Sequence, residues 1–325
     1  MIQPPQVPKI TLFDDNQIPC IGYGTFMIDK DKIYDCIKTA IDVGYRHFDC
    51  ALMYENQKEI GKALNHAIKS GQITRKELFI TSKVWPTYFQ PGKVMECAKE
   101  ILKQLQLDYV DLMLLHWPIQ LKNGKKWNDW WPKDPDTGKV IMFNTVDIVD
   151  VYTELEQVKK KKLTRSIGIS NFNSEQIIRI LQKCVFQPVI NQVECHPYLN
   201  QDNLIEFCTG RGIKLTGYMP LGGSEKELKP LNPLEEEVIK KLAEKHGKTT
   251  DEIIIRWQIQ RGVIFIPKLT HKDRITSNFN VFNFELSTED MIAINSMNQN
   301  KRLNTLENHG KELMDAPEYP FKIPY

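Results

Sequence analysis

Residues 46–83 read RHFDCALMYENQKEIGKALNHAIKSGQITRKELFITSK and contain one strand, one helix and a second strand in succession. The short apolar runs RHFDC (46–50) and LFITSK (78–83) are typical of strands, and the segment near 56–69 is typical of a helix. Both runs are apolar without clean alternation, as expected for strands that are covered on both faces. Strand and helix in alternation predict a parallel sheet.

The same unit recurs along the chain. The other strand-like runs are IGYGT (21–25), VDLMLLH (110–116), RSIGIS (165–170), VINQVE (189–194), IKLTGYM (213–219) and VIFIP (263–267). We expect the other helices near 30–43, 91–105, 147–161, 174–183, 201–210, 234–245, 250–260 and 271–279. Eight strand-then-helix units match a closed (β/α)8 barrel, so we predict an α/β TIM barrel that forms a single domain over residues 1–325.

Three segments lie outside this alternation. Two short apolar runs flank DDNQ (14–17) and predict an N-terminal β-hairpin. Residues 117–146 and the tail after about residue 300 read as long loops, which in compact folds are usually functional or disordered. We expect long loops of this kind at the C-terminal face of the barrel.

An open, doubly wound sheet is the alternative fold, and it would usually need a glycine-rich phosphate loop. The stretch GYGTFM (22–27) has Gly22 and Gly24, but Met27 stands where the third glycine belongs. No acidic residue in the right context follows about 20 residues later. We therefore interpret these glycines as a tight strand end without bulky side chains.

Composition excludes several functions. The net charge of +2 over 325 residues gives no reason to expect binding to nucleic acid or to an anionic membrane. The seven cysteines are scattered and form no CxxC pair, which predicts reduced thiols in a cytoplasmic protein and no metal site. We expect no signal peptide and no membrane span, because neither a cationic start with an apolar run nor about 18 consecutive apolar residues occurs.

In such a barrel the working face lies at the C-terminal ends of the strands. Each predicted strand places a polar group or a phenol at that rim: Thr25, Asp49, Lys83, His116, Ser170 with Asn171, Gln192 with Glu194, Tyr218 and Lys268. Any one of them could be solvated or satisfied in a core, but eight on one rim predict a functional site.

Four of these groups suggest a specific chemistry. Asp49, Lys83 and His116 end neighbouring strands, and Tyr54 returns on the loop after the second strand. A phenol has a pKa near 10, and an adjacent ammonium lowers it by favouring the phenolate. Asp49 would supply the counter-charge of a buried Lys83, and His116 would orient a substrate oxygen. Such a set gives a proton to a developing alkoxide, which favours carbonyl reduction over hydrolysis.

The sequence resembles the aldo-keto reductases over nearly its whole length. The matching stretches are GYRHFDCALMYENQKEIGKAL, FITSKVW, DYVDLMLLHWP, SIGISNF, NQVECHPYL, GYMPLG and IPKLTHKDRITSN. The resemblance implies a (β/α)8 barrel that uses a nicotinamide cofactor, with Tyr54 as proton donor in a tetrad with Asp49, Lys83 and His116.

The resemblance also implies the binding residues. Ser170, Asn171 and Gln192 would hold the nicotinamide carboxamide, and Tyr218 would stack on its ring. The other implied cofactor contacts are Thr25, Asp49, Leu221, Lys268, Thr270, Arg274 and Asn278, and the implied substrate contacts are Phe26, Trp85, His116 and Trp117. A lysine and an arginine six residues apart suit a 2′-phosphate, so NADPH is expected rather than NADH.

The chain departs from the family pattern in three places. Leu269 and Met219 stand where serines are usual, and GGSEKELKP (222–230) differs from the usual cofactor-covering loop. These departures affect cofactor preference and release, not the reaction. His116 stands where members that reduce steroid double bonds carry glutamate, which argues against that activity.

We therefore expect NADPH-dependent reduction of aldehydes, with ketones as a second candidate class of substrate, by a monomer. One alternative is oxidation of alcohols or dihydrodiols with NADP⁺. Another is a cofactor-binding structural or channel-associated protein with little turnover, against which the complete tetrad argues. Trp127, Trp130 and Trp131 could bind a bulky substrate or could pin their loop to the barrel.

Overall fold

The computed structural model describes residues 7–124, 126–223, 232–279 and 281–325. Most of the predicted cofactor-covering stretch at 222–230 lies outside the described residues, as do the first six residues. The described chain forms a parallel barrel with helices around it.

The described residues form ten strands. They are β1 (Lys9–Thr11), β2 (Gln17–Pro19), β3 (Tyr23–Gly24), β4 (His47–Asp49), β5 (Phe79–Val84), β6 (Val110–Leu115), β7 (Thr164–Ser170), β8 (Ile190–Glu194), β9 (Lys214–Tyr218) and β10 (Ile264–Phe265). The first two pair antiparallel with Ile10 opposite Ile18, which confirms the predicted hairpin. Strands β3 to β10 are parallel and neighbour one another in chain order.

The sheet closes where its first and last strands meet. The amide of Gly22 donates to the carbonyl of Phe265 at 2.9 Å, and the amide of Gly24 donates to that of Pro267 at 3.0 Å. A Cβ at Gly22 would lie 2.6 Å from the His47 ring, and one at Gly24 would lie 2.8 Å from the carbonyl oxygen of Ile266. The two glycines therefore serve close packing at the barrel seam, as the sequence suggested.

Within the described part of the chain, ten α-helices accompany the strands. They are α1 (Lys30–Val43), α2 (Gln57–Lys69), α3 (Lys93–Leu105), α4 (Ile148–Lys160), α5 (Ser174–Leu181), α6 (Asp202–Thr209), α7 (Glu237–His246), α8 (Thr250–Gln260), α9 (Lys272–Ser277) and α10 (Thr288–Asn295). Each predicted helix is present with ends shifted by a few residues. Side-chain caps begin α4, α5, α8 and α10. At the start of α4, for example, the Asp147 carboxylate accepts from the amide of Val149 at 2.9 Å.

Helix α10 was not expected from the sequence. Its start carries a reciprocal cap, in which the Ser287 hydroxyl accepts from the amide of Asp290 and the Asp290 carboxylate accepts from the amide of Ser287. The sequence STED at 287–290 is the signal that could have shown it.

The core is continuous between barrel and helices. Strands β5 and β6 are buried at every position, which is why their sequences are apolar without alternation.

Within 117–146, Leu121 pairs with Met142 and Lys133 pairs with Val140, so this long loop folds back on itself. Among the described residues, no helix has the length and apolar character that a membrane span requires.

Candidate active site

Lys83 is the centre of a buried charged cluster at the C-terminal ends of β4 and β5. Its ammonium donates to Asp49 Oδ2 at 2.5 Å, to the carbonyl of Cys50 at 3.0 Å and to the Tyr54 hydroxyl at 3.1 Å. Its side chain has 0% exposure, and that of Asp49 has 3%. All three N–H donors of the ammonium thus have an acceptor, which is the condition under which a buried charge is tolerated.

Tyr54 reaches this cluster through a 3₁₀ turn, Leu52–Tyr54, that follows β4 directly. The turn is closed by Glu55 in a left-handed conformation, with φ 57°. The Lys83 Nζ lies 4.9 Å from the centre of the Tyr54 ring. A phenol and an ammonium are therefore in direct contact, as the sequence predicted.

His116 follows β6, where its amide donates to the carbonyl of Val84 at 3.0 Å. Its ring meets the Tyr54 ring edge to face with a centroid separation of 5.8 Å. Burial, together with the charge of Lys83, holds the pKa of His116 well below its usual value of 6.5. The imidazole is therefore neutral at physiological pH and can donate one N–H.

Aromatic rings surround this pair. Trp85 is buried and lies 5.1 Å from the His116 ring, and Phe26 lies 4.9 Å from the Tyr54 ring. Trp117 is also buried, and its ring centroid lies 5.9 Å from that of Phe321 in the tail. Two of the predicted substrate residues, Phe26 and Trp85, thus place apolar rings against the phenol and the imidazole.

A hydrogen-bonded network occupies the ends of β7, β8 and β9. The Gln192 amide donates to Asp49 Oδ1 at 2.8 Å, and the Ser170 hydroxyl donates to the carbonyl of Gln192 at 2.8 Å. The Asn171 amide donates to the carbonyl of His116 at 3.0 Å, and the Tyr218 hydroxyl donates to Asn171 Oδ1 at 2.7 Å. Burial raises the pKa of Tyr218 well above 10, so its ring stays a neutral surface. This network joins the rim groups to the charged cluster.

Two of the predicted cofactor contacts, Thr25 and Leu221, lie in different environments. Thr25 is fully buried and donates to the carbonyl of Asp49 at 2.8 Å, so it supports the strand that carries the cluster. Leu221 is half-buried and packs against the apolar residues of α7 and α8.

The predicted adenosine-end residues lie on β10's continuation and on α9. Lys268 is half-buried with its Nζ 5.7 Å from the Phe26 ring centre, while Thr270 and Arg274 are exposed. Asn278 is fully buried, and both polar atoms of its amide lack a partner within the described residues. A buried amide with an unused donor and acceptor fits the edge of a nucleotide base.

Leu269, the departure at the expected phosphate site, is buried in the core, and its carbonyl accepts from the Tyr23 hydroxyl. Its side chain therefore packs instead of contacting a ligand.

The loop after β6 is attached to the site by its tryptophans. The Trp130 indole donates to Glu55 Oε1 at 2.8 Å, and the Trp130 carbonyl accepts from the Trp85 indole at 2.9 Å. Trp127 is 44% exposed, whereas the ring of Trp131 stacks on that of His309. Trp130 thus pins the loop, which was one of the two interpretations open from the sequence.

Sequence reasoning missed two members of this arrangement. The carbonyl of Cys50 completes the coordination of the Lys83 ammonium, and a backbone acceptor leaves no signal in residue identity. Glu55 anchors the loop tryptophan, and its place directly after Tyr54 is the signal in the sequence that could have shown it.

Comparison with known proteins identifies the class of protein that this barrel and its rim define. The family model described as the aldo/keto reductase family matches residues 20–299. The chain belongs to the aldo-keto reductase family.

Individual relatives match over almost the entire chain. Aldo-keto reductase family 1 member C15 of Rattus norvegicus is 42% identical over 98% of this chain and 98% of that protein. Aldo-keto reductase family 1 member A1 of Xenopus tropicalis is 42% identical over 97% of this chain and 98% of that protein. The solved structure of the aldose reductase from Schistosoma japonicum superposes with a TM-score of 0.90 at 37% identity, covering 98% of this chain and 100% of that one.

Proposed function

We propose that this single-domain protein reduces aldehydes, and some ketones, to alcohols with NADPH. The observation that carries the proposal is the Lys83 ammonium, which binds both the Asp49 carboxylate and the Tyr54 hydroxyl beside a neutral His116. The nicotinamide cofactor supplies a hydride when it is bound.

Tyr54 is the proposed proton donor. A neighbouring ammonium stabilises the phenolate that is left when the proton goes to the substrate oxygen. Lys83 already donates to the phenol oxygen at 3.1 Å, so this stabilisation needs no rearrangement. The Asp49 carboxylate supplies the counter-charge that a buried ammonium such as that of Lys83 requires.

His116 is the proposed orienting group. Because its imidazole is neutral, it donates a hydrogen bond to the carbonyl oxygen without competing with Tyr54 as an acid. The rings of Phe26, Trp85 and Trp117 are proposed to exclude water from the carbonyl group and to bind the rest of the substrate.

The proposed cofactor residues follow the rim. Ser170, Asn171 and Gln192 would bind the carboxamide of the nicotinamide, and the neutral Tyr218 ring would lie against the nicotinamide ring. The remaining proposed contacts along the cofactor are Thr25, Leu221, Lys268, Thr270, Arg274 and Asn278. The unused polar atoms of Asn278 support the adenine end, and the two cations support a 2′-phosphate.

The test is the oxidation of NADPH, followed at 340 nm, with an aromatic aldehyde, an aldose, a quinone and a ketosteroid, each repeated with NADH. We expect turnover with the aromatic aldehyde and a clear preference for NADPH. Tight NADPH binding without turnover of any substrate would contradict the proposal and would indicate a cofactor-binding protein with little activity.

A further inference from the structure

The tail crosses the mouth of the proposed site as a short segment, residues 303–309, which we call the C-terminal strap. At one end the side-chain Nδ2 of Asn304 donates to the Tyr218 hydroxyl at 3.5 Å. At the other end the His309 ring stacks on Trp131 with centroids 4.0 Å apart and planes at 10°. Trp131 in turn lies 5.1 Å from Trp85. The strap therefore joins the cofactor side of the rim to the substrate side.

The first end of the strap is bound by one carboxylate, that of Glu194 at the end of β8. Its Oε1 accepts from the amide of Leu303 at 2.7 Å, and its Oε2 accepts from the amide of Asn304 at 2.8 Å. The His196 ring nitrogen Nε2 lies 2.9 Å from Oε1. Glu194 is fully buried, and hydrogen bonds to a buried carboxylate are about twice as strong as bonds between neutral groups.

Glu194 also lies beside the tyrosine that would face the nicotinamide. In the barrel, Glu194 on β8 is the register partner of Tyr218 on β9. The same carboxylate thus fixes the strap at the point where Asn304 meets Tyr218. The Glu194 carboxylate therefore connects the end of β9, where the nicotinamide is proposed to lie, to the strap over the proposed substrate site.

The strap contains one residue in an uncommon backbone conformation. Leu306 is buried and adopts a left-handed conformation with φ 66°, which is uncommon for a residue of this size. Such a conformation persists only where the surrounding structure holds it. Other attachments beside Glu194 are the Tyr319 hydroxyl, which donates to the carbonyl of Thr305 at 3.0 Å, and the His309 stack.

We propose that Glu194 is a positioning residue that holds the C-terminal strap over the site and so determines how tightly substrates with a large non-reacting part are bound. The inference rests on the proposed function of the site. It assigns Glu194 no contact with the reacting atoms; it acts through the backbone of Leu303 and Asn304.

The test compares Glu194→Gln with a matched control, Glu156→Gln. Glu156 is also buried and accepts from two successive backbone amides, those of Val185 and Phe186 at 2.6 and 2.7 Å, but it lies on α4. Glutamine has one side-chain oxygen, and its NH₂ group cannot accept a hydrogen bond. The strap amides bond different oxygens of Glu194, so Glu194→Gln loses one of the two bonds. Both amides at Glu156 bond Oε1 alone, so Glu156→Gln can keep both bonds and controls for the removal of a buried carboxylate charge away from the strap.

The first readout is amide hydrogen exchange, which requires no activity. We expect exchange at Leu303 and Asn304 to become about tenfold faster in Glu194→Gln and to stay unchanged in Glu156→Gln. Unchanged exchange at 303–304 in Glu194→Gln would overturn the inference, whatever the enzyme does.

The second readout is a comparison of two substrates with NADPH, a two-ring aromatic ketone and a three-carbon aldehyde. For Glu194→Gln we expect KM for the ketone to rise about tenfold with kcat changed less than about threefold, and KM for the small aldehyde to stay within about twofold. Equal losses for both substrates, as from a general loss of stability, would overturn the inference.

Two further results separate the possible failures. If the wild-type protein turns over neither substrate, the proposed function fails, while the exchange data still decide whether Glu194 holds the strap. If Glu194→Gln does not fold, Glu194→Asp keeps the charge but retracts the oxygens by one methylene. We expect this variant to show the same selective effects at smaller size, and their absence would contradict the inference.

Discussion

At the scale of single residues, the site depends on which groups are charged. Lys83 and Asp49 form a buried ion pair, while His116 stays neutral because burial and the nearby ammonium both oppose its protonation. A neutral imidazole beside a phenol that is bound to an ammonium supports the proposed roles of Tyr54 as proton donor and of His116 as orienting group.

The lowered pKa of His116 predicts the pH profile. Since the imidazole takes up a proton only well below pH 6.5, we expect no loss of kcat from this group as the pH falls from 8 to about 6. Initial rates in constant-ionic-strength buffers measure this directly. A fall in kcat with a midpoint near 6.5 that disappears in His116→Gln would contradict the assignment.

Arg274 gives a prediction about the cofactor. It is exposed on α9, and a guanidinium there suits a 2′-phosphate that NADH lacks. We expect Arg274→Ala to raise KM for NADPH about tenfold or more and to leave KM for NADH nearly unchanged. Lys272→Ala, an exposed cation on the same helix, is the control and should affect both cofactors little. Equal effects of Arg274→Ala on both cofactors would show that the phosphate is not bound there.

Residue identity predicted the contact of Asp49, Lys83 and Tyr54 because strand ends in a parallel barrel converge on one rim. It did not predict that Gln192 binds Asp49, or that Leu269 is a core residue. The direction of a side chain at a strand end depends on the local twist and on neighbours distant in sequence. The sequence of one strand reveals neither the twist nor those neighbours.

At the scale of elements, the loop 117–146 is held by specific bonds. Its main attachment is the Trp130 indole, which donates to Glu55 directly after the proposed proton donor. The loop is therefore ordered by the same turn that positions Tyr54.

Trp130→Phe keeps the ring and removes only this donor. We expect it to make the loop more susceptible to limited trypsin cleavage after Lys126 and Lys133, because the protein loses a hydrogen bond to a charged group. Trp257→Phe is the control, because it removes an indole donor on α8, which bonds Asn295 Oδ1 at 2.8 Å, and should leave digestion of the loop unaltered. Equal digestion of Trp130→Phe and wild type would show that the loop is held by other contacts.

Helix positions could be predicted because their apolar periodicity and caps are local. Helix α10 escaped this reasoning although Ser287 and Asp290 form a reciprocal cap. The strap could not have been predicted, because its placement depends on Glu194, more than 100 residues earlier in the chain.

At the scale of the whole molecule, barrel closure buries groups that must stay neutral. The ring of His47 lies next to Gly22 at the barrel seam. Burial lowers the pKa of His47 to about 3 and also lowers the pKa of His116. The unfolded chain therefore binds protons near pH 6.5 that the folded chain does not bind, and stability is lost as the pH falls below that value.

We expect the free energy of unfolding to decrease between pH 7 and pH 5, by up to about 1.4 kcal/mol per pH unit for each of these two histidines below pH 6.5. Urea denaturation at a series of pH values measures the slope. Paired carboxylates such as Asp290, whose pKa is lowered to about 2, lose their contribution only at lower pH. A free energy of unfolding that is constant or rises as the pH falls through this window would contradict the burial of neutral histidines.

The closed barrel was predictable because eight strand–helix units allow few arrangements, and the seam needed only Gly22 and Gly24 for close approach. What covers the site was not predictable, because loop and tail are positioned by contacts such as the His309–Trp131 stack, which have no periodic signature.

The most direct test of the central claim is a single-turnover measurement of NADPH oxidation by an aromatic aldehyde in wild type, Tyr54→Phe and Tyr34→Phe. Tyr34 is a surface tyrosine whose hydroxyl lies 2.6 Å from His66, so its variant controls for the loss of a bonded hydroxyl. Removal of the proton donor should slow the step at least ~100-fold in Tyr54→Phe, with NADPH still bound, and Tyr34→Phe should match wild type. A near-normal rate in Tyr54→Phe would contradict the assignment of Tyr54 as the proton donor in carbonyl reduction.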